Sequence, residues 1–174
     1  MSPLSPATNP NIRFFGIDPG YGRMGWGVVE RIGGKLRFSG AGCIETPASA
    51  ERGERLLLIA NELELLLQRY LPTAVGIESL LFTTNVTTGI RVSEARGVAL
   101  LMCRKAGLET QEFSPTEVKS ATTGSGRATK QQMKKLVSAQ LQLSSTPWPD
   151  DAIDALAIAL CAAHAHGSLG RTYR

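Results

Sequence analysis

The chain has 174 residues, of which 43% are hydrophobic, and a formal net charge of +4. A chain of this size can bury enough apolar surface to fold as one domain without covalent staples, and its three cysteines are odd in number and far apart, which argues against a disulfide framework or a zinc site. No apolar run approaches 18 residues and no basic leader precedes an apolar core, so neither a membrane span nor a secretory signal is predicted and a cytoplasmic location is expected.

The elements, taken in chain order, begin with three strands. Residues 1–11 hold three prolines without an apolar period and predict a disordered arm. Short apolar runs follow at hairpin spacing over 12–18, 25–31 and 35–46, and they predict a three-stranded antiparallel meander.

The next four runs alternate between helical and strand-like spacing and cover residues 51–70, 73–79, about 86–106 and 109–114. Helices fill the rest, with the basic loop TGSGR between two of them, which gives the order β-β-β-α-β-α-β-α-α. This order predicts an α/β fold, with a five-stranded mixed sheet in which parallel strands extend the meander and helices cover both faces. We expect one domain over residues 12–166 and a flexible tail over 167–174.

Two acids end apolar strands at positions that could bring them together. Asp18 closes the first strand in FFGIDPG, where Pro19 and Gly20 force a turn, and Glu78 closes the fourth in VGIES. If these strands are neighbours in the sheet, both carboxylates lie at the same edge.

The last helix, within PWPDDAIDALAIALCAAHA, carries three acids before an apolar body. Asp150 has the ordinary interpretation of a helix-capping acid. Asp151 and Asp154 share a face of a helix that is apolar nearly all round, where ionised carboxylates need a cation or a proton to compensate them. With Asp18 and Glu78 they form a set of oxygen ligands suited to Mg²⁺, and two such ions would stabilise both reacting oxygens of a phosphoryl displacement.

Two phosphate-binding motifs are matched only in part. GYGRMG, residues 20–25, fits the dinucleotide fingerprint, but the chain continues as a strand where that motif needs a helix. GSGRATK, residues 124–130, lacks the Gly-Lys-Ser/Thr ending and the preceding strand of a P-loop. We expect neither segment to bind a nucleotide.

Four groups of motifs cover most of the chain: GIDPG with GWGVVE, GIESLLFTTN with ARGVALL, SPTEVKSATTGSGRATK, and DDAIDALAIAL. Their order and spacing resemble the RuvC family of Holliday-junction resolvases, which has the ribonuclease H-like fold, and the likeness spans residues 13–166. The resemblance implies a metal-dependent endonuclease of recombination and repair. Such an enzyme acts as a homodimer and nicks opposing strands of a four-way DNA junction symmetrically.

The resemblance also implies roles for the four acids. Asp18, Glu78, Asp151 and Asp154 take the catalytic and metal-binding positions, with two Mg²⁺ per subunit for which Mn²⁺ could substitute. Water attacks the phosphodiester and leaves a 5′-phosphate and a 3′-hydroxyl, without a protein nucleophile. Branch-migration proteins of the RuvA and RuvB kind are the implied partners.

A basic stretch predicts where DNA binds. Between Lys119 and Pro149 the chain carries five basic residues and no acid, which favours a surface that faces a polyanion. Lys119 and Lys130 match functional positions of the family. We expect them to contact backbone phosphates together with Arg127 and Lys134.

One segment departs from the family pattern. In ESLLFTTN, Leu81 stands where an aromatic residue is often found, Phe82 keeps the next aromatic, and Thr84 replaces a lysine. Phe82 is the candidate for stacking on an unpaired base, although core packing explains it equally well, and Leu81 could wedge between bases. Asn85 and Arg96 complete the predicted DNA contacts.

Two other functions stay open at this point. The same metal site would serve another ribonuclease H-like nuclease, acting on an RNA·DNA hybrid or on ordinary duplex. A non-catalytic junction-binding module would keep the acids for structure alone. An actin-like ATPase shares the GIDPG type of first strand but needs a much longer chain.

Overall fold

The computed structural model describes residues 12–79, 86–144 and 147–169. Within this part of the chain the strands are β1 (Ile12–Asp18), β2 (Arg23–Ile32), β3 (Lys35–Glu45), β4 (Ala74–Glu78) and β5 (Thr110–Phe113). The helices are α1 (Arg52–Tyr70), α2 (Val86–Lys105), α3 (Pro115–Thr123), α4 (Lys130–Gln140) and α5 (Asp150–Leu169).

The strands form one sheet in the order β3-β2-β1-β4-β5. β2 pairs antiparallel with both β1 and β3, whereas β4 runs parallel to β1 on one side and to β5 on the other. The predicted meander and the five-stranded mixed sheet are therefore confirmed. GYGRMG leads directly into β2, so it lacks the helix that dinucleotide binding requires.

Helices cover both faces of the sheet, as predicted. Side chains alternate along β1, so that Phe15 and Ile17 pack with α1 and α2 while Phe14 packs with α4 and α5. Leu63 and Leu67, one turn apart on α1, complete the first of these two cores.

The predicted order was wrong at one point, because three helices follow β5 instead of two. α3 and α4 are separate helices, and each begins with a capping box. Ser114 and Glu117 accept hydrogen bonds from each other's backbone N–H groups at the start of α3, and Thr129 and Gln132 do the same for α4. Gly124 ends α3 in the left-handed conformation and begins the loop between them.

α5 lies close against the sheet because glycines line its path. A Cβ on Gly16 of β1 would fall well inside van der Waals contact of the Ala155 carbonyl, and a Cβ on Gly25 of β2 would do the same at the Asp151 carbonyl. Only glycine permits such an approach. The backbone of α5 therefore rests on the strands themselves, which fixes where the side chains of its first turns emerge.

The ends of the predicted domain can be compared only in part. α5 continues to Leu169, beyond the boundary predicted at residue 166. The predicted arm, residues 1–11, and the last part of the predicted tail, residues 170–174, lie outside the described residues. No helix in the described part of the chain combines the length and the apolarity needed to cross a membrane.

Candidate active site

Two of the predicted acids stand at the same edge of the sheet. Ile17 of β1 is in register with Ile77 of the parallel strand β4. The next residues, Asp18 and Glu78, therefore end neighbouring strands side by side. Each acid follows a glycine on the α5 side of the sheet by two positions, so both acids belong to the face that α5 covers.

The first turns of α5 bring the other two acids to this edge. The backbone of Asp151 lies against Gly25, and Gly25 is paired with Asp18 across the β1–β2 hairpin. Asp154 lies nearly one turn further along the same face of the helix. The four carboxylates are close enough for the negative charges of the other three acids to act on Asp18.

Burial and repulsion between acids make three of these carboxylates, those of Asp18, Glu78 and Asp154, harder to ionise. Burial raises the pKa of Asp18 from an ordinary value of 3.8 to about 7, and the charges of the other three acids add to the increase. Burial is also the largest cause of the raised pKa of Glu78 and of Asp154. A positive charge nearby would favour the ionised forms of these three acids.

Two of the described side chains form ion pairs with these acids. Lys130 Nζ, at the start of α4, lies 2.8 Å from Asp154 Oδ2. Arg23 Nε, at the start of β2, lies 2.9 Å from Asp151 Oδ2. With these ion pairs in place, the described residues contain no group of three or more His, Cys, Asp or Glu side chains already arranged as a metal centre.

The donor set nevertheless fits a hard divalent cation. Asp154 Oδ1 is buried and has no hydrogen-bond partner among the described residues, so half of this carboxylate is left for a ligand from outside. Carboxylate oxygens are the donors that Mg²⁺ takes in proteins. A cation among these acids would favour their ionised forms and so relieve the raised pKa of Asp18.

A cleft of about 170 Å³ opens beside the acids, and two of the predicted DNA-binding lysines line it. Lys119 of α3 and Lys130 of α4 share this cleft with Glu78 and Asp154. Their positive charges oppose the increase that burial causes in the pKa of Glu78. A phosphate held in the cleft would meet two ammonium groups directly beside the carboxylates.

The other two predicted phosphate contacts lie further out. Lys134 donates to Asp150 Oδ1 at 2.8 Å, and Lys130 is 3.9 Å from Asp150 Oδ2. Asp150 therefore joins an ion-pair network with α4, a contact that its predicted role as a helix cap did not include. Arg127 is exposed in the loop between α3 and α4 and is not among the residues that line the cleft.

Arg96, another predicted DNA contact, is largely buried. Its Nε donates to the Glu78 carbonyl at 3.3 Å, its guanidinium pairs with Glu112 of β5 at 2.6 Å, and 14% of its side chain is exposed. These contacts tie α2 to the strand end that carries Glu78. The remaining predicted contacts, Leu81, Phe82 and Asn85, lie outside the described residues, and their roles stay predictions.

The turn after Asp18 is supported by residues that the sequence did not single out. Arg55 of α1 donates to the Thr46 hydroxyl and stacks 4.0 Å above the Tyr21 ring, which pins the turn to α1. Arg23 was also missed. It lies two residues before Gly25, the residue paired with Asp18, and on the same face of β2, which is the signal that it can reach the acids.

Comparisons with known proteins identify the family of this chain. The family model described as crossover junction endodeoxyribonuclease RuvC matches residues 14–162. The chain belongs to the RuvC family. A RuvC relative from Chloroflexus aggregans is 48% identical, over 92% of this chain and 98% of its own length. Another from Rubrobacter xylanophilus is 49% identical, over 87% of this chain and 84% of its own length.

Solved structures of RuvC proteins have the same architecture. T. thermophilus RuvC in complex with Holliday junction substrate matches with a TM-score of 0.84 at 31% identity, over 91% of this chain and 96% of that one. The yeast mitochondrial Holliday junction resolvase Ydc2 has a TM-score of 0.67 at 14% identity, over 93% and 83% of the two chains, and shows the fold alone. The predicted ribonuclease H-like fold is confirmed, and RuvC membership places the chain in a family of metal-dependent nucleases.

Proposed function

We propose that the protein is a crossover junction endodeoxyribonuclease, which resolves four-way DNA junctions in recombination and repair by nicking opposing strands symmetrically. The observation that carries this conclusion is the meeting of Asp18, Glu78, Asp151 and Asp154 at one sheet edge, in a chain that matches the RuvC family over residues 14–162. The T. thermophilus relative was solved with a Holliday junction substrate, which supports the same class of substrate here.

The four carboxylates would hold two Mg²⁺ ions per subunit, for which Mn²⁺ could substitute. When bound, these cations stabilise the charge on the attacking and leaving oxygens of the phosphodiester. The partnerless oxygen of Asp154 and the raised pKa of Asp18 support this role for the acids. Hydrolysis of the bond between phosphorus and O3′ leaves a 5′-phosphate and a 3′-hydroxyl.

The lysines of the cleft would orient the DNA strand. Lys119 and Lys130 would bind backbone phosphates that enter the cleft, and Arg127 and Lys134 would extend the positive surface beyond it. Lys130 must leave Asp154 to do so. Because 58% of the Lys130 side chain is exposed, its pair with Asp154 can be exchanged for a DNA phosphate at low cost.

A homodimer is supported by the outer face of α2. Ile90 and Leu101 are 51% and 65% exposed, and a Cβ on Gly97, which lies between them at helical spacing, would meet open space. A small residue between two large apolar residues lets a second helix approach closely. Leu57 and Leu65 of α1 add further exposed apolar surface. Two equivalent active sites suit a junction with two equivalent strands.

Two further parts of the proposal rest on family membership. Branch-migration proteins of the RuvA and RuvB kind are the proposed partners, because a resolvase acts where junctions are formed and moved. A cytoplasmic location is proposed because the matched relatives come from bacteria, whose chromosome lies in that compartment.

The test is cleavage of a four-way junction compared with linear duplex of the same sequence, with Mg²⁺ and with EDTA. We expect paired nicks at symmetric positions in the junction, no comparable cutting of the duplex, and no cutting in EDTA. Equal cutting of both substrates would indicate a less selective nuclease of the same fold. Tight junction binding without any cutting would indicate a non-catalytic binding module.

A further inference from the structure

Arg23 contacts the acidic cluster but was not among the predicted site residues. The acidic cluster consists of Asp18, Glu78, Asp151 and Asp154. Its Nε is 2.9 Å from Asp151 Oδ2 and 3.7 Å from Glu45 Oε1, so one guanidinium bridges two carboxylates. The two carboxylates differ in their surroundings, because the Asp151 side chain is 32% exposed and that of Glu45 is 68% exposed. Arg23 therefore has one partner within the cluster, Asp151, and one partner that is exposed to solvent, Glu45.

The strands hold Arg23 between these two partners. Arg23 of β2 is directly paired with Glu45 of β3, and Cys43 is paired with Gly25 in the same ladder. The Cys43 thiol lies 3.8 Å from the guanidinium and 3.9 Å from Asp151 Oδ2. Thr46, directly after β3, donates its backbone N–H to Gly22 and closes this end of the hairpin. The backbone at Arg23 is thus held in place, and a rotation of the side chain alone can exchange Asp151 for Glu45 as its partner.

Lys130 differs from Arg23 in what it can do after it leaves its acid. Lys130 faces the cleft and can move to a DNA phosphate. Arg23 lies at the opposite side of the cluster, where Glu45 is the alternative anion already within reach. A divalent cation at Asp151 would repel the guanidinium, and the shift toward Glu45 would reduce that repulsion.

We infer that Arg23 is a positioning residue that competes with the divalent cation for Asp151, and that Glu45 receives it when the cation binds. This inference rests on the proposed function, since it concerns metal binding by the same four acids. In the metal-free protein Arg23 neutralises and orients Asp151 through Oδ2. Its exchange to Glu45 then sets how much metal is needed to fill the site.

The experiment is a calorimetric titration of Mg²⁺ into the purified protein at constant ionic strength, without DNA. Arg23→Gln removes the competing charge and should tighten Mg²⁺ binding by about three- to tenfold. Glu45→Gln removes the receiving anion and should weaken binding by about two- to threefold. In the double variant the effect of Glu45→Gln should largely disappear, because it acts only through Arg23.

Two controls separate this role from a structural one. Arg23→Lys keeps the charge and should restore Mg²⁺ affinity to within about twofold of wild type, and Arg104→Gln, the same charge change on the other face of the sheet, should leave it unchanged. Half-saturating Mg²⁺ in junction cleavage should shift in the same direction as the calorimetric affinity. Unchanged or weaker Mg²⁺ binding by Arg23→Gln overturns the inference. Failure of the wild-type protein to bind Mg²⁺ or to cut junctions would instead overturn the proposed function.

Discussion

The two faces of the sheet are packed in different ways. On the α5 face, glycines of β1 and β2 let a helix backbone rest directly on the strands, and acids with raised pKa values emerge at that contact. On the face that carries α1 and α2, large side chains such as Phe15 and Leu63 fill the core, while leucines remain exposed on the outside. The first arrangement fixes the positions of the four acids that we propose to be catalytic, and the second leaves exposed apolar surface where we propose the dimer contact.

From this difference we expect substitutions on the two faces to impair different properties of the protein. Changes on the α5 face should affect chemistry and local stability while leaving assembly intact. Changes on the outer surface of α2 should affect assembly first. The predictions below test this division, and they run from the largest expected effect to the smallest.

The largest effect is expected for Asp154→Asn. Loss of one cation-binding carboxylate should reduce junction cleavage by at least about 1,000-fold, because metal stabilisation of the reacting oxygens contributes several kcal/mol. Junction binding, measured by mobility shift in Ca²⁺, should stay within about threefold of wild type, since the lysines that we propose to bind phosphate remain. Asp150→Asn, one turn before Asp154 in the same helix, is the matched control and should retain cleavage. Cleavage that survives Asp154→Asn would remove this residue from the site.

The second effect concerns assembly through α2. Leu101→Glu places a charge in the proposed dimer interface and should raise the dimer dissociation constant on the order of 100-fold. Sedimentation equilibrium measures this directly, and Leu101→Met is the conservative control that should remain dimeric. A dimer that tolerates Leu101→Glu would place the interface on another surface. The melting temperature of the monomer should change little, because 65% of the Leu101 side chain is exposed.

The third effect tests the close contact between α5 and the sheet. Gly25→Ala forces its Cβ into the carbonyl of Asp151, so that α5 must shift, and it should cost about 1–3 kcal/mol of unfolding free energy and lower cleavage as well. Gly53→Ala in α1, where an added Cβ meets no atom within 4 Å, is the control and should be neutral or slightly stabilising. Urea denaturation measures both variants. Equal stability of the two would show that the sheet can move to accommodate the added methyl group.

Much of the candidate site could be predicted from the sequence, because the ends of short apolar runs mark the ends of strands. Acids at the ends of two apolar strands predict a shared edge once β1 and β4 are neighbours, and the three-residue spacing of Asp151 and Asp154 predicts a shared helix face. The separate helix α4 was missed although its signal was present. SPTE and TKQQ both have the spacing of a capping box, which marks two helix starts rather than one.

The rest depends on distances that no local pattern encodes. Gly16 and Gly25 look like ordinary weak positions in a strand until the path of α5 is known. The ion pair between Arg23 and Asp151 joins residues 128 positions apart in the chain, so the sequence around either residue does not predict its partner. Pairing of charges over such separations is set by the completed fold.

The fourth effect is a gain in stability. The Asp18 carboxyl has a higher pKa in the folded protein, about 7, than its ordinary value of 3.8, so its ionisation destabilises the folded state. The stability of the folded protein begins to fall as pH rises above the pKa of Asp18 in the unfolded chain, and the fall is complete above its pKa in the folded protein. Asp18→Asn should therefore stabilise the metal-free protein on the order of 2 kcal/mol at about pH 8, with the gain shrinking toward about pH 4.

The measurement is urea denaturation in EDTA over that pH range, with Glu62→Gln, an exposed acid of α1, as the control that should change little. Added Mg²⁺ should reverse the order of stability, because it stabilises the wild-type protein and binds the variant weakly. A variant that is no more stable than wild type in EDTA at any pH would contradict the charge repulsion inferred at this site.

The smallest effect concerns Asp150, which lies beside the acidic cluster but faces α4. Its carboxylate binds Lys134 at 2.8 Å and holds Lys130 at 3.9 Å, so it competes with DNA phosphates for both lysines. Asp150→Asn should tighten junction binding about two- to threefold at low salt, and the gain should vanish as salt screens the lysines. Fluorescence anisotropy against salt concentration measures this, and Lys134→Ala should abolish most of the gain. Weaker binding by Asp150→Asn would mean that Asp150 orients these lysines for DNA instead of competing with it.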